Sequence, residues 1–187
     1  MATAPRRSWL QYLAALAGVG MVLSIFVHLM TFVGFDATSA CPMVWLLQLG
    51  VFVVLFPAFA VNPRKSKQPQ SWMAAFSGGP RWTIPLVSLT AVYALVNFLI
   101  ITGSGEGHPT KQPDGSYALT IHGHVTRVIS EPDFHHYELF HTRAFSGHWM
   151  FFYTLAMALL LSAAARRTQT LIDPYRPLSP TLRRSGA

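Results

Sequence analysis

Four long stretches without a charged side chain limit what this chain can fold into. They contain 28, 27, 24 and 22 residues without Asp, Glu, Lys or Arg, at 8–35, 37–63, 82–105 and 144–165. A helix that crosses the hydrocarbon core of a bilayer needs about 20 mostly apolar residues, so all four stretches are long enough. A helix is expected for an open segment in lipid, because its backbone groups bond one another internally. The sequence therefore predicts four membrane crossings.

The composition agrees with a membrane protein. The 187 residues are 51% hydrophobic and 11% charged, whereas soluble domains have about 25% charged residues. We predict an all-α membrane protein: a four-helix transmembrane bundle forming a single membrane domain over residues 1–187. The predicted spans are 10–33, 43–62, 83–103 and 144–165. The first apolar run is longer than that of a typical signal peptide, so we expect it to be retained as a helix.

The charged residues predict the orientation of the chain. Eleven of the 14 Lys and Arg residues lie before span 1, between spans 2 and 3, or in the basic tail 166–187. Six of the seven acidic residues lie on the opposite side. Basic residues near span ends stay in the cytoplasm. This places both termini in the cytoplasm, and we expect a bacterial cytoplasmic (inner) membrane. The net charge of +7 is then explained by the basic residues that fix the topology. We therefore exclude nucleic acid as a partner.

The loop 104–143 between spans 3 and 4 is predicted to lie outside the cytoplasm. Residues 117–121 alternate between apolar and polar, 125–129 follow, and His122-Gly123-His124 lies between them. This pattern is typical of a two-stranded hairpin. The aromatic and apolar residues of 133–141 indicate a short interfacial helix. We expect that helix to run on into span 4 with a break near Ser146-Gly147.

One strongly polar side chain lies near the outer end of each predicted span. These residues are His28, Gln48, Asn97 and His148. Each lies about 7–9 Å below the outer boundary of its span, and polar groups at that depth face the bundle interior. The structural interpretation is interhelical hydrogen bonding. The functional alternative is a ligand-binding pocket for a quinone head group, for a haem held by His28 and His148, or for a metal ion.

Histidines are concentrated in the outer loop and are candidate metal ligands, because zinc and copper favour imidazole. The candidates, taken with the two in the spans, are His28, His148, His135, His136 and His141, together with the His122 and His124 pair. Their spacing matches no standard metal site, and no cysteine pair accompanies them. Solvated loop histidines are the alternative, and no bound cofactor is our first expectation.

The functional prediction follows from small size and from the motifs that the sequence lacks. It has no Walker A or G-x-G-x-x-G loop and no G-x-S-x-G or H-E-x-x-H motif. We therefore expect a membrane accessory, assembly or interaction protein rather than an enzyme, in contact with the lipid bilayer and with a membrane protein partner through the outer loop. The alternative is a redox or ligand-binding protein that uses the His/Gln/Asn layer. A small enzyme acting on lipid or quinone is a third hypothesis.

Overall fold

The computed structural model describes residues 9–62, 75–104 and 107–172. In chain order, its helices and strands are α1 (Trp9–Met30), α2 (Ala37–Ala40), α3 (Leu46–Ala60), α4 (Thr83–Ser104), β1 (His108–Lys111), β2 (Tyr117–Ile121), β3 (His124–Ile129) and α5 (Glu131–Ile172). Within these residues, four helical segments are long and apolar enough to cross a membrane: Trp9–Val33, Pro42–Ala60, Thr83–Ile101 and Glu131–Gln169. The predicted all-α four-helix transmembrane bundle is confirmed.

Successive spans run in opposite directions, which gives the bundle two distinct ends. The sheet end holds the three strands, α2 and the first turns of α5. The terminal end holds the start of α1, the end of α3 and the last turns of α5. The predicted basic tail 166–187 begins inside α5, and its residues 173–187 lie outside the described residues.

Helix α5 is the centre of the bundle and contacts the other three spans. Of its most apolar window, 61% is buried within the protein, compared with 22–33% for the other spans. Small side chains on α5, including Ala156, Ala158 and Ala163, are fully buried or nearly so, and small residues let helix backbones approach closely. Large apolar side chains on the outer spans, such as Phe26, are exposed. They form the surface that meets lipid.

The predicted break near Ser146-Gly147 is wrong, because α5 is continuous from Glu131 to Ile172. The interfacial helix expected at 133–141 is the first part of α5 itself. Ser130 precedes the helix, and its Oγ accepts a hydrogen bond from the backbone N–H of Asp133 at 3.3 Å. Serine is a preferred residue at this capping position. The helix therefore starts 13 residues before the predicted fourth span, which begins at Ala144.

The strands form one antiparallel sheet in the order β1-β2-β3. Its β2–β3 part is the predicted hairpin, joined by His122 and Gly123 with φ values of 51° and 82°. Positive φ at both central residues is typical of the type I′ turn, whose twist matches that of the strands. The sheet rests on α5, where the Tyr117 and Phe134 rings are 4.7 Å apart. This contact supports a hairpin that would be marginal alone.

Candidate functional site

His28 links three helices near the sheet end of the bundle. Its side chain is buried. The Nδ1 atom lies 2.9 Å from Ser146 Oγ on α5, and the Nε2 atom lies 2.5 Å from the Tyr93 hydroxyl on α4. Ser146 Oγ also donates to the backbone carbonyl of Thr142 at 2.7 Å. A hydroxyl has one proton, and that of Ser146 goes to the Thr142 carbonyl, so Ser146 Oγ accepts a hydrogen bond from His28 Nδ1. In a neutral ring Nε2 is then the acceptor and receives the hydrogen bond of the Tyr93 hydroxyl.

This arrangement uses the one lone pair of a neutral imidazole. A haem iron or another metal ion would need that lone pair on His28. That lone pair accepts the hydrogen bond from the Tyr93 hydroxyl, so His28 could bind a metal only if this hydrogen bond broke. His148, the expected second haem ligand, has its Nδ1 2.8 Å from the backbone carbonyl of Ala144 on its own helix. Its ring meets the edge of Phe98 at 5.9 Å.

Asn97 binds the backbone of α5 beside the His28 contacts. Its Nδ2 donates to the carbonyls of Arg143 at 3.1 Å and Ala144 at 3.4 Å. Gly147 lies one helical turn further on, and a Cβ there would come within 2.6 Å of Asn97 Nδ2. The lack of a side chain at Gly147 therefore lets α4 approach α5 closely.

Gln48 lies in a different part of the interface, between α3 and α5. Its Oε1 accepts a hydrogen bond of 2.5 Å from the Trp149 indole N–H. All four polar residues thus lie beside, or within, residues 143–149 of α5. His28 and Asn97 both bond to residues 143–146 of α5, whereas Gln48 bonds to Trp149. His28, Asn97 and Gln48 make interhelical hydrogen bonds, whereas His148 bonds to a carbonyl of its own helix.

Arg143 binds the residue that follows α1, at the sheet end of the bundle. Its Nε donates to Thr31 Oγ1 and one terminal nitrogen donates to the Thr31 carbonyl, each at 3.1 Å. The guanidinium also lies 4.1 Å from the centre of the Phe32 ring. The two hydrogen bonds and the contact with the aromatic face together fix the position and the orientation of the Arg143 guanidinium. Arg143 thereby satisfies a carbonyl at the C-terminal end of α1.

A half-open pocket of about 280 Å³ lies at the sheet end, between α2, β1 and α5. Its walls are lined by Asp36, Thr38, Ser39, Trp45, His108, Pro109, Glu138, His141, Thr142 and Phe145. Sequence analysis singled out only His141 from this set. The signal that could have found the pocket is Asp36, the lone charged residue between the first two apolar stretches.

Asp36 is the polar centre of this pocket. Its Oδ1 accepts from the Thr38 N–H at 3.0 Å and from the Thr38 and Thr142 hydroxyls at 2.7 and 2.9 Å. Its Oδ2 accepts from Ser39 Oγ at 2.5 Å. Burial raises the pKa of the Asp36 carboxyl, but the hydrogen bonds from Ser39, Thr38 and Thr142 outweigh it and the net pKa is lowered. Asp36 is therefore ionised at neutral pH.

The loop histidines are spread over the sheet end. The His108 and His141 rings stack with centres 4.3 Å apart, and His141 Nε2 lies 3.3 Å from the Gly107 carbonyl. His135 Nδ1 lies 3.3 Å from Glu138 Oε2. Exposed positions at the surface of the sheet end are occupied by His122, His124 and His136. Across 9–62, 75–104 and 107–172, no group of three His, Cys, Asp or Glu side chains is placed to hold a metal ion.

The fold and its site define a four-span membrane protein with a small extramembrane sheet. No protein-family model, curated protein or solved structure matches the chain.

Proposed function

We propose that this chain is an accessory, assembly or interaction protein of the bacterial cytoplasmic membrane whose sheet binds a partner outside the cytoplasm. In this topology the sheet end faces outward and both termini are cytoplasmic. The charge distribution supports this orientation, since most Lys and Arg residues belong to the terminal end or its flanking segments. Of the described residues, Arg81, Arg166 and Arg167 lie there.

The observation behind the proposed interaction is the free edge of β3. It is an edge strand in the order β1-β2-β3, and five of its six residues are exposed. Val125 and Val128 on this strand are 52% and 70% exposed. An edge strand has unpaired backbone groups that can add a strand from another chain, with pockets or apolar contacts providing specificity.

The opposite edge of the sheet is protected in ways that β3 is not. Strand β1 is four residues long, includes Pro109 and packs against α5. Short length, proline and cover by a helix are the usual means of blocking an edge. Strand β3 has six residues without proline. We therefore infer that the partner adds an extended segment along β3, with its apolar side chains against Val125 and Val128.

Site-specific photocrosslinking in cells tests this proposal. A photoreactive amino acid replaces Val125, and the matched control has the same residue at the exposed Asp114 in the β1–β2 turn. We expect a discrete protein adduct from position 125 and none from position 114. Adding Val128→Lys should reduce the adduct at position 125 to the control level, because a charged edge disfavours strand addition. Equal adducts from both positions would refute binding at β3.

The orientation has its own test. A reporter that is active only after export is fused after Gly115, in the β1–β2 turn, and a second fusion is made after Val61 at the end of α3. We expect activity from the Gly115 fusion alone. Activity from the Val61 fusion alone would reverse the proposed topology.

A further inference from the structure

We infer that the pocket between α2, β1 and α5 binds an ammonium group, either the head group of a membrane lipid or a small soluble amine. This site is separate from the β3 edge and does not depend on the partner proposed above. Three properties of the pocket support the inference: its carboxylates, its aromatic wall and its position at the end of the spans.

The carboxylates supply negative charge with acceptor capacity to spare. Asp36 Oδ1 accepts three hydrogen bonds, whereas Oδ2 accepts one, from Ser39. Each oxygen of an ionised carboxylate has about two acceptor sites, so Oδ2, which accepts one bond, retains one. Glu138 lies on the other wall, with Oε2 3.3 Å from His135 Nδ1. Among the described residues, no Lys or Arg side chain lines the pocket, so a bound cation would be the counter-charge.

The aromatic wall is formed by Trp45 and Phe145. Their rings meet edge to face with centres 5.2 Å apart, and both side chains are partly exposed, at 42% and 37%. Carboxylate groups combined with aromatic faces are the usual surroundings of a bound ammonium group, and tryptophan gives the strongest cation–π attraction. A metal ion is a poorer fit, because the described residues contain no group of three metal-ligating side chains.

The pocket lies where a lipid head group would be. Trp45 precedes α3 and Phe145 is near the start of the apolar stretch of α5, and amphipathic aromatic residues prefer the membrane–water interface. A volume of about 280 Å³ suits a small head group rather than an acyl chain. Ethanolamine-type head groups present an ammonium group at the membrane–water interface.

Binding to the full-length protein in mild detergent tests the inference, at about pH 8 where histidine rings are neutral. One arm titrates ethanolamine and tetramethylammonium by calorimetry. The other arm uses native mass spectrometry with phosphatidylethanolamine or phosphatidylglycerol. Binding of phosphatidylethanolamine alone identifies a lipid head group, and binding of the soluble amines identifies a small amine as the ligand.

Two variants and a control assign the binding to the pocket. Glu138→Gln removes one carboxylate and should weaken binding about tenfold, as expected for a charge-assisted contact. Trp45→Leu should weaken it about three- to tenfold through loss of the cation–π contact. Glu131→Gln, on the same helix but outside the pocket, should leave the affinity unchanged. Absence of binding in both arms, equal binding of phosphatidylglycerol, or an affinity unaffected by Glu138→Gln would overturn the inference.

Discussion

Gly147 on α5 and Asn97 on α4 lie so close that a methyl group on the glycine would come within 2.6 Å of the asparagine amide nitrogen. The same amide donates to the carbonyls of Arg143 and Ala144. A side chain at Gly147 would therefore displace Asn97 and break these bonds. The close approach of the two helices depends on this glycine.

Gly147→Ala should lower the free energy of unfolding by about 1–3 kcal/mol, the usual cost of overpacking. The measurement is denaturant unfolding in mixed micelles. Gly103→Ala is the matched control, because a Cβ at Gly103 meets nothing within 4 Å. Alanine also favours a helix over glycine by about 1 kcal/mol, so the control should be neutral or slightly stabilising. Equal destabilisation by both variants would contradict the role of Gly147.

The ring of Tyr153 occupies the space where a side chain at Gly20 would lie, so Gly20→Ala forces the ring to move. Tyr153 also donates to the Leu47 carbonyl at 2.8 Å, and displacement would strain that bond. We expect a thermal midpoint several degrees below wild type. Gly18→Ala serves as the control, because its Cβ would make only an ordinary 3.6 Å contact with Met157. A Gly18→Ala protein as unstable as Gly20→Ala would rule out this explanation.

His28→Phe should destabilise the bundle, because it leaves Tyr93 and Ser146 without their partner. A double-mutant cycle with Tyr93→Phe measures the coupling, which averages about 0.6 kcal/mol in membrane proteins and reaches about 1.7. We expect a value in the upper part of that range, since the His28 side chain is buried. His148→Phe should show no coupling to Tyr93→Phe. A cycle with zero coupling between His28 and Tyr93 would refute the hydrogen bond.

Asp36→Asn should lower the free energy of unfolding by about 1 kcal/mol at neutral pH, because an uncharged amide weakens the charge-assisted hydrogen bonds from Ser39, Thr38 and Thr142. Partial exposure of the carboxylate keeps the effect modest. Its folded-state pKa is below the ordinary value of 3.8, so its stabilisation is present above that pH and is lost as the pH falls through the folded pKa. The free energies of unfolding of the wild type and of Asp36→Asn should therefore become equal below the folded-state pKa of Asp36, which is lower than 3.8. If the difference in free energy of unfolding grew as the pH fell, the pKa of Asp36 would be raised in the folded state, and this prediction would be wrong.

The spans were predictable because their determinants are local. A run of apolar residues bounded by charges decides whether a segment enters lipid. The first three spans match the predicted ones to within two residues at each end, whereas the fourth lies inside a helical segment that runs from Glu131 to Gln169. The β2–β3 turn was predictable for the same reason, since His122-Gly123 accepts positive φ. Strand β1 was not, because His108-Pro109-Thr110-Lys111 has no apolar alternation and only Thr110 favours a strand. Its conformation depends on β2 and α5.

The site residues were harder to predict because their partners are distant in sequence. Tyr93 and Ser146 lie 65 and 118 positions from His28. A similar level along the bundle follows from the position of each polar residue in its span, and the structure places all four beside or within residues 143–149 of α5. The direction in which it points depends on the order of helices around α5, which the hydropathy pattern does not specify. The pocket at Asp36 requires the same information, together with the placement of β1.

The length of α5 has a structural consequence. Its 42 residues extend about 63 Å, roughly twice the thickness of the hydrocarbon core. Beyond Pro132 in its first turn it contains no proline, and Gly147 is packed against Asn97. At the far end, Arg166 donates to the carbonyls of Ala75 and Ser77 at 2.9 Å. One continuous helix therefore connects the strands at one end of the bundle to the segment before α4 at the other.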